Sequence, residues 1–266
     1  MTRFWGWIGS LTLALGAVSG LARSSEPQPE KPQFVLLSMF DSYVRWAPKK
    51  RGQAPLLRYA IAEREISTPN AANCQGVRPP VSLMQASAVA ELTFRQSLRT
   101  AFARWADAAN ISFVEVARAD EADIVIGEQT APRGHAFTNV ALGQSNGSTF
   151  RPIVKSLICL NPEAHWKVGF DGNLNSYDLV HTFTHEIGHA IGLDHPGARG
   201  HVMSFSYEET HAGLSDGDIL GAVRLYGWRT PADAVRHIVS VNAERATVAA
   251  KSLTLTSGHP PPGNSK

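Results

Sequence analysis

The sequence predicts an α/β sandwich in which one sheet packs against helices. Two observations carry this. Over residues 86–108 apolar side chains recur at helical spacings (Leu92, Leu98, Phe102 and Trp105) within an alanine-rich run. Short β-rich runs lie on both sides of it, so the order along the chain is strand, helix, several strands, helix, helix.

Each element has its own signal. Leu56–Ile61 reads as a strand. Residues 111–116 alternate Ile111 and Phe113 with Ser112 and Val114, and residues 123–127 contain the Ile-Val-Ile of a buried strand. A Gly/Asn/Ser loop at 143–148 separates a strand at 135–140 from one at 153–160. Residues 171–176 form a turn cluster, from which Asn175 or Ser176 is placed to cap a helix over 177–191. Gly192 lies just past that helix, where a left-handed cap is expected. Asp216–Tyr226 reads as the last helix of the core.

The ends read differently. Arg3 precedes an uncharged apolar stretch, 4–18, and small residues Gly20 and Ala22 then precede Arg23. This is the pattern of a secretory signal peptide over 1–22, so an extracellular or periplasmic location is expected. The rival is an uncleaved anchor. Its uncharged stretch is barely long enough to span a bilayer, and its Gly, Ser and Thr weaken it. Residues 23–33, with three prolines, read as a flexible leader, and 34–228 as the folded domain. The tail, 229–266, reads as helical in part over 232–250 and as disordered from 257, where Gly, Pro and Ser dominate.

A chain of 266 residues with 43% hydrophobic content can bury one substantial core. Its net charge of +2 gives no argument for nucleic acid, nor does any Lys/Arg run suggest a membrane patch. A monomer free of the membrane after signal cleavage is the expectation. Cys74 and Cys159 are the only cysteines. In an exported chain such a pair reads as one disulfide; two separate buried thiols are the alternative.

The chemistry sits on the helix over 177–191. His185-Glu186-Ile187-Gly188-His189 is an H-E-x-x-H motif. Residues four apart on a helix lie about 40° apart around the axis and roughly 6 Å along it, so both imidazoles can reach one metal ion. Gly192 lets the chain turn back and bring His195 in as a third ligand. Three nitrogens and one open position suit a catalytic zinc. Five fixed positions are expected by chance on the order of 0.0001 times in such a chain. Glu186, between the ligands, can reach a water at the metal and act as general base. His181 shares the helix face, but His195 fits the glycine turn better. His165, His201 and His211 read as surface or supporting residues.

With Met203 downstream, the extended motif resembles the signature of metzincin proteases, in which this methionine forms a turn beneath the metal. Within them the chain most resembles the matrixins, the branch that includes the matrix metalloproteinases. Leu57-Arg58-Tyr59-Ala60-Ile61, Ala101-Phe102-Ala103-Arg104-Trp105 and Leu214-Ser215-Asp216-Gly217-Asp218-Ile219 are similar to family segments in the same order. Tyr207 matches a tyrosine four residues after the methionine; a spacing of two would suit astacin- or serralysin-like branches. The resemblance implies a twisted, mostly parallel five-stranded sheet with about three helices. It also implies a secreted zinc endopeptidase acting on protein or peptide substrates. A silent binding module on the same fold is the rival from another class, and the intact Glu186 argues against it.

Three departures from the family follow. No inhibitory propeptide is recognisable before the core. His135 matches one histidine of a structural zinc site whose other ligands have no counterparts; Cys159 stands where one is expected, and a Cys74–Cys159 bridge would replace that staple. His135 then reads as an ordinary strand residue. Asn161 stands where a calcium-binding Asp is usual. Asp171, Asn173 and Asn175 could ligate a structural calcium through oxygens, but turn roles suit them better.

Overall fold

The computed structural model describes residues 33–49, 52–145 and 147–256, all within one compact unit, 31–266. The expected signal peptide, the expected leader up to residue 32 and the segment 257–266 lie outside the described residues. The elements run β1 Val35–Leu36, β2 Ser38–Met39, β3 Ser42–Trp46, β4 Leu56–Ile61, β5 Ile66–Ser67 and β6 Gly76–Arg78. They continue with α1 Val81–Ala86, α2 Glu91–Ala108, β7 Ser112–Glu115, β8 Ile124–Gln129, β9 Ala136–Leu142 and β10 Phe150–Leu160. Last come β11 Trp166–Lys167, β12 Tyr177–Asp178, α3 Leu179–Ala190, β13 Leu193–Asp194, α4 Asp216–Tyr226 and α5 Pro231–Thr256.

Five strands form the body of the sheet in the order β7-β4-β8-β10-β9. The first four are mutually parallel, and β9 joins β10 antiparallel. This is the mostly parallel sheet expected. Short strands extend it: β3 pairs in parallel with the first residues of β10, β2 pairs with β3, and β6 pairs with β5 and β8. The central strand β8 is buried along its whole length; its Ile124-Val125-Ile126 run foretold this for the first half, while the second half buries Glu128 and Gln129.

The two faces of the sheet serve different cores. Ile124, Ile126, Ile158 and Leu160 point into the large core shared with α2, α3 and α4. Their alternating neighbours Val125, Leu157 and Cys159 point the other way, into a small cluster with Ala60, Ala62, Val77 and Cys74. Cys74 and Cys159 are joined there by a disulfide, with Cα atoms 6.5 Å apart and a sequence separation of 85. Cross-linking so long a loop stabilises by about 4 kcal/mol in the chain-entropy account. The Cys74→Ala/Cys159→Ala variant should therefore melt roughly 10 °C lower. A drop under about 2 °C in a thermal melt would show the bridge to be dispensable.

Three expectations are corrected, and one further stretch gains elements. The helix expected over 86–108 begins only at Glu91, as α2; a separate short helix α1 ends at Ala86, and Ala88 between them takes a left-handed φ of 52°. Leu92 is 64% exposed, and Phe94 takes its place on the buried face with Leu98, Ala101, Phe102 and Trp105. Phe94 and Leu98 are one helical turn apart, whereas Leu92 lies well round the axis from that stripe. Residues 33–46, for which no element was expected, form three short strands. The tail is more helical than its composition suggested, since α5 runs unbroken to Thr256 and packs on the edge strand β7.

Candidate metal centre and cleft

The helix α3 is held at both ends and along its side. Its N-cap is Asp178, whose Oδ1 accepts from His181 N at 2.7 Å; Asn175 and Ser176 lie too early to do this. Two indoles grip its carbonyls: Trp105 Nε1 donates to Thr184 O and Trp46 Nε1 to Ala190 O, both at 2.8 Å. At its C-terminus the chain reverses at Gly192, with φ 108°. The segment after it, β13, pairs antiparallel with β1.

This reversal brings His195 to His185 and His189. Their Nε2 atoms form a triangle with sides of 3.1, 3.1 and 3.2 Å. His185 Nδ1 lies 2.7 Å from Val202 O, and His189 Nδ1 lies 2.9 Å from Leu193 O. A carbonyl only accepts, so both Nδ1 atoms must carry the proton. The Nε2 atoms of these neutral rings then bear bare lone pairs, pointed at one another and at His195. Burial lowers the pKa of all three rings, well below the usual value for His189, so the imidazoles stay neutral. Convergent lone pairs repel unless a cation stands between them. The donor set therefore fits one zinc ion, with the second ring nitrogens oriented as metal-binding histidines require. It is the only such group of His, Cys, Asp and Glu among the described residues.

Glu186 is 5% exposed, and its Oε2 accepts from Thr138 Oγ1 on β9 at 2.7 Å. Burial pushes its carboxyl up to about 7, against the opposing pull of the Thr138 hydroxyl. The motif's other small residue has a packing role. A Cβ on Gly188 would press on Met203 Sδ and Cε and on Trp105 Cζ2, so glycine leaves room for Met203 to lie close beneath the helix. Met203 is 2% exposed. Its turn is held by the buried carboxylate of Asp218, which accepts from Val202 N at 2.9 Å and from Met203 N at 3.1 Å. Asp218 also closes a capping box with Ser215 at the start of α4.

A cleft of about 1120 Å³ opens over the triad, bounded by β9, the 70–73 loop, the β2–β3 turn and residues 204–207 after Met203. Tyr207 forms part of that wall; its hydroxyl accepts from Asp178 N and donates to Glu209 Oε1, both at 2.8 Å. Thus Asp178 ties the start of the histidine helix to the cleft wall. Thr138, Asp178 and Asp218 escaped the reading of the sequence. The spacing of Ser215 and Asp218 was the one available signal, that of a capping box.

The other candidates fall elsewhere. His181 is buried between Phe170 and Tyr207, and burial lowers its pKa to about 4. His135 stacks on Tyr177 at 4.2 Å and belongs to no metal-binding group among the described residues. His201 meets Ser215 Oγ at 2.6 Å, and His211 is exposed. Asp171 and Asn173 make successive Asx turns, accepting from Asn173 N at 2.9 Å and Asn175 N at 3.1 Å. Lys167 Nζ contacts Asp171 and lies 2.6 Å from Glu209 Oε1.

A parallel sheet with one antiparallel strand, a histidine helix beneath it and a methionine turn below define a domain of the metallopeptidase class. Comparison with known proteins places it more closely. The chain belongs to the matrixin family, whose model matches residues 81–227. It is 29% identical over 139 residues to Matrilysin of Mus musculus, covering 50% of this chain and 51% of that protein. It is 28% identical over 138 residues to Karilysin of Tannerella forsythia, covering 50% of this chain and 28% of that protein. Over 95 residues it is 36% identical to Serralysin of Photorhabdus laumondii, covering 35% of this chain and 18% of that protein. The chain thus spans about half or less of the length of these curated relatives.

Proposed function

We propose that this protein is a secreted zinc endopeptidase that cleaves peptide bonds in protein substrates. One observation carries the reading: three imidazole Nε2 atoms converge within 3.2 Å, beside the buried carboxylate of Glu186 and open to a long cleft. His185, His189 and His195 would hold the metal. Bound zinc supplies Lewis acidity, polarising a carbonyl and lowering the pKa of water toward about 7. Glu186 takes the proton from the attacking water and returns it to the leaving amine. Strand β9 pairs with β10 on one side and has no second strand partner among the described residues. Beyond Thr138, whose carbonyl accepts from Asn73 Nδ2 at 2.9 Å, its outer edge suits an extended peptide, held by main-chain hydrogen bonds. The charge-poor N-terminal stretch and the disulfide support export. Among the described residues no helix is long and apolar enough to cross a membrane. We read the chain as acting alone, and Asp171, Asn173 and Asn175 as turn residues rather than calcium ligands.

The test is Glu186→Ala beside the wild type. The variant should keep about one zinc per chain and lose peptide cleavage by a factor on the order of 10²–10⁴. Equal zinc content with equal cleavage would remove Glu186 as base. Zinc binding with no cleavage by either protein would leave a binding module.

A further inference from the structure

We propose that Thr138 is a positioning residue for Glu186, fixing one carboxylate oxygen so that the other is presented to the cleft. The proposal rests on the reading of Glu186 as general base. Thr138 lies on β9 opposite Ile158 of β10 and is 6% exposed. Its Oγ1 stands 2.7 Å from Glu186 Oε2 and 3.0 Å from Glu186 O. A hydroxyl has one proton to donate, and the shorter contact is to the carboxylate. Among the described residues no other group bonds the Glu186 side chain. Among the described residues Oε1 makes no hydrogen bond, and Glu186 lines the cleft. The two oxygens therefore have different duties: Oε2 is anchored and Oε1 is free to accept a proton.

The anchor itself is firmly held. The carbonyl of Thr138 accepts from Asn73 Nδ2 at 2.9 Å. The next residue, Asn139, donates to Cys74 O at 2.6 Å and accepts from Asn73 N at 3.2 Å. Arg133 Nε adds a bond to Asn73 O at 2.9 Å. Cys74 is bridged to Cys159, which lies opposite Phe137 in the β9–β10 ladder. The strand that carries Thr138 is thus tied to a cross-linked loop on one side and to β10 on the other. A glutamate has three side-chain torsions, and its proton transfer needs one of the few orientations near the reacting atoms. A single rigidly mounted hydroxyl removes most of that freedom.

The test uses the zinc-loaded full chain with Thr138→Val, Thr138→Ser, Glu186→Ala and the Thr138→Val/Glu186→Ala double variant. Valine keeps the shape and removes the hydroxyl. We expect its kcat to fall roughly 10–100-fold, as when partners of active-site groups are lost. KM should stay within about twofold and zinc content unchanged, because the lost contact serves the reacting state. Serine should restore kcat to within about threefold of wild type, since it restores the donor. A readout independent of activity is the thermal midpoint. Thr138 and Glu186 touch, so the shifts of the single variants should exceed, when added, the shift of the double. Wild-type kcat in Thr138→Val, or additive thermal shifts, would overturn the role of Thr138. Undiminished cleavage by Glu186→Ala would instead overturn the general-base reading beneath it.

Discussion

Replacing Asp218 by alanine is expected to lower the melting midpoint by roughly 10 °C or more and to loosen the grip on zinc about 10–100-fold. Asp218 is 1% exposed. Its Oδ2 accepts from Val202 N at 2.9 Å, Ser215 N at 2.9 Å and Ser215 Oγ at 2.7 Å, while Oδ1 accepts from Met203 N at 3.1 Å. Alanine would leave these donors without an acceptor in a buried site. Each such orphan costs about 1–3 kcal/mol, so a total near 4 kcal/mol is a restrained expectation. The effect on the metal follows from the next bond along. Val202 O orients His185 through Nδ1 at 2.7 Å, and a turn released from Asp218 lets that carbonyl drift. Asparagine should fall between, because its amide oxygen can serve the three donors at Oδ2 while its NH₂ faces Met203 N–H. Melts of the zinc-loaded proteins and competition with a metal chelator measure both effects. An alanine variant that melts within 2 °C of wild type and keeps its zinc equally well would show that α4 does not brace the Met203 turn.

This dependence marks the boundary between what the sequence displays and what it hides. The H-E-x-x-H spacing and the glycine three residues on are local: helical geometry and a single reversal bring three histidines together, and the structure does so. The sheet was legible for a similar reason, since β4, β7, β8 and β10 each carry the pattern of a strand in their own residues. The side chains of Thr138 and Asp218 act across sequence distances of 48 and 16 residues on Glu186 and Val202, and the main-chain N–H of Asp178 reaches Tyr207 across 29. An isolated threonine or aspartate carries no mark of the strand register or helix packing that aims it. The N-cap was misplaced because several capping residues crowd the 171–178 turn, and only the tertiary fold decides which one stands at the first helical turn. The strands β1 and β2 were missed because two residues cannot show a period; β3 does alternate, with Val44 and Trp46 buried and Tyr43 exposed, and was passed over. Yet β1 matters to the site, since it pairs with the segment just before His195. Matching the family model at residues 81–227 likewise leaves this N-terminal brace outside it.

That brace makes Gly192 the position with the second large expected effect. Leu37 N donates to Gly192 O at 2.8 Å, so the reversal after α3 is fixed to the N-terminal segment. With φ at 108°, Gly192 occupies a region that an alanine enters only with strain, about 1–2 kcal/mol or more. Space is the greater obstacle: an added Cβ would stand 2.3 Å from Val44 O and 3.3 Å from Leu225 Cδ1. Val44 belongs to β3, which is laddered into β10, so its carbonyl cannot swing away as a flexible side chain would. The reversal must move instead, and it carries Leu193 O, the partner of His189 Nδ1, and then His195. Strain and overpacking together should cost about 3–4 kcal/mol, and zinc affinity should fall at least tenfold as the third ligand leaves its place. Gly192→Ala should thus lose metal and cleavage together, unlike Glu186→Ala, which keeps its metal. Zinc content after dialysis against a chelator separates the two. A Gly192→Ala protein that retains zinc and activity would mean that His195 reaches the metal without needing this particular turn.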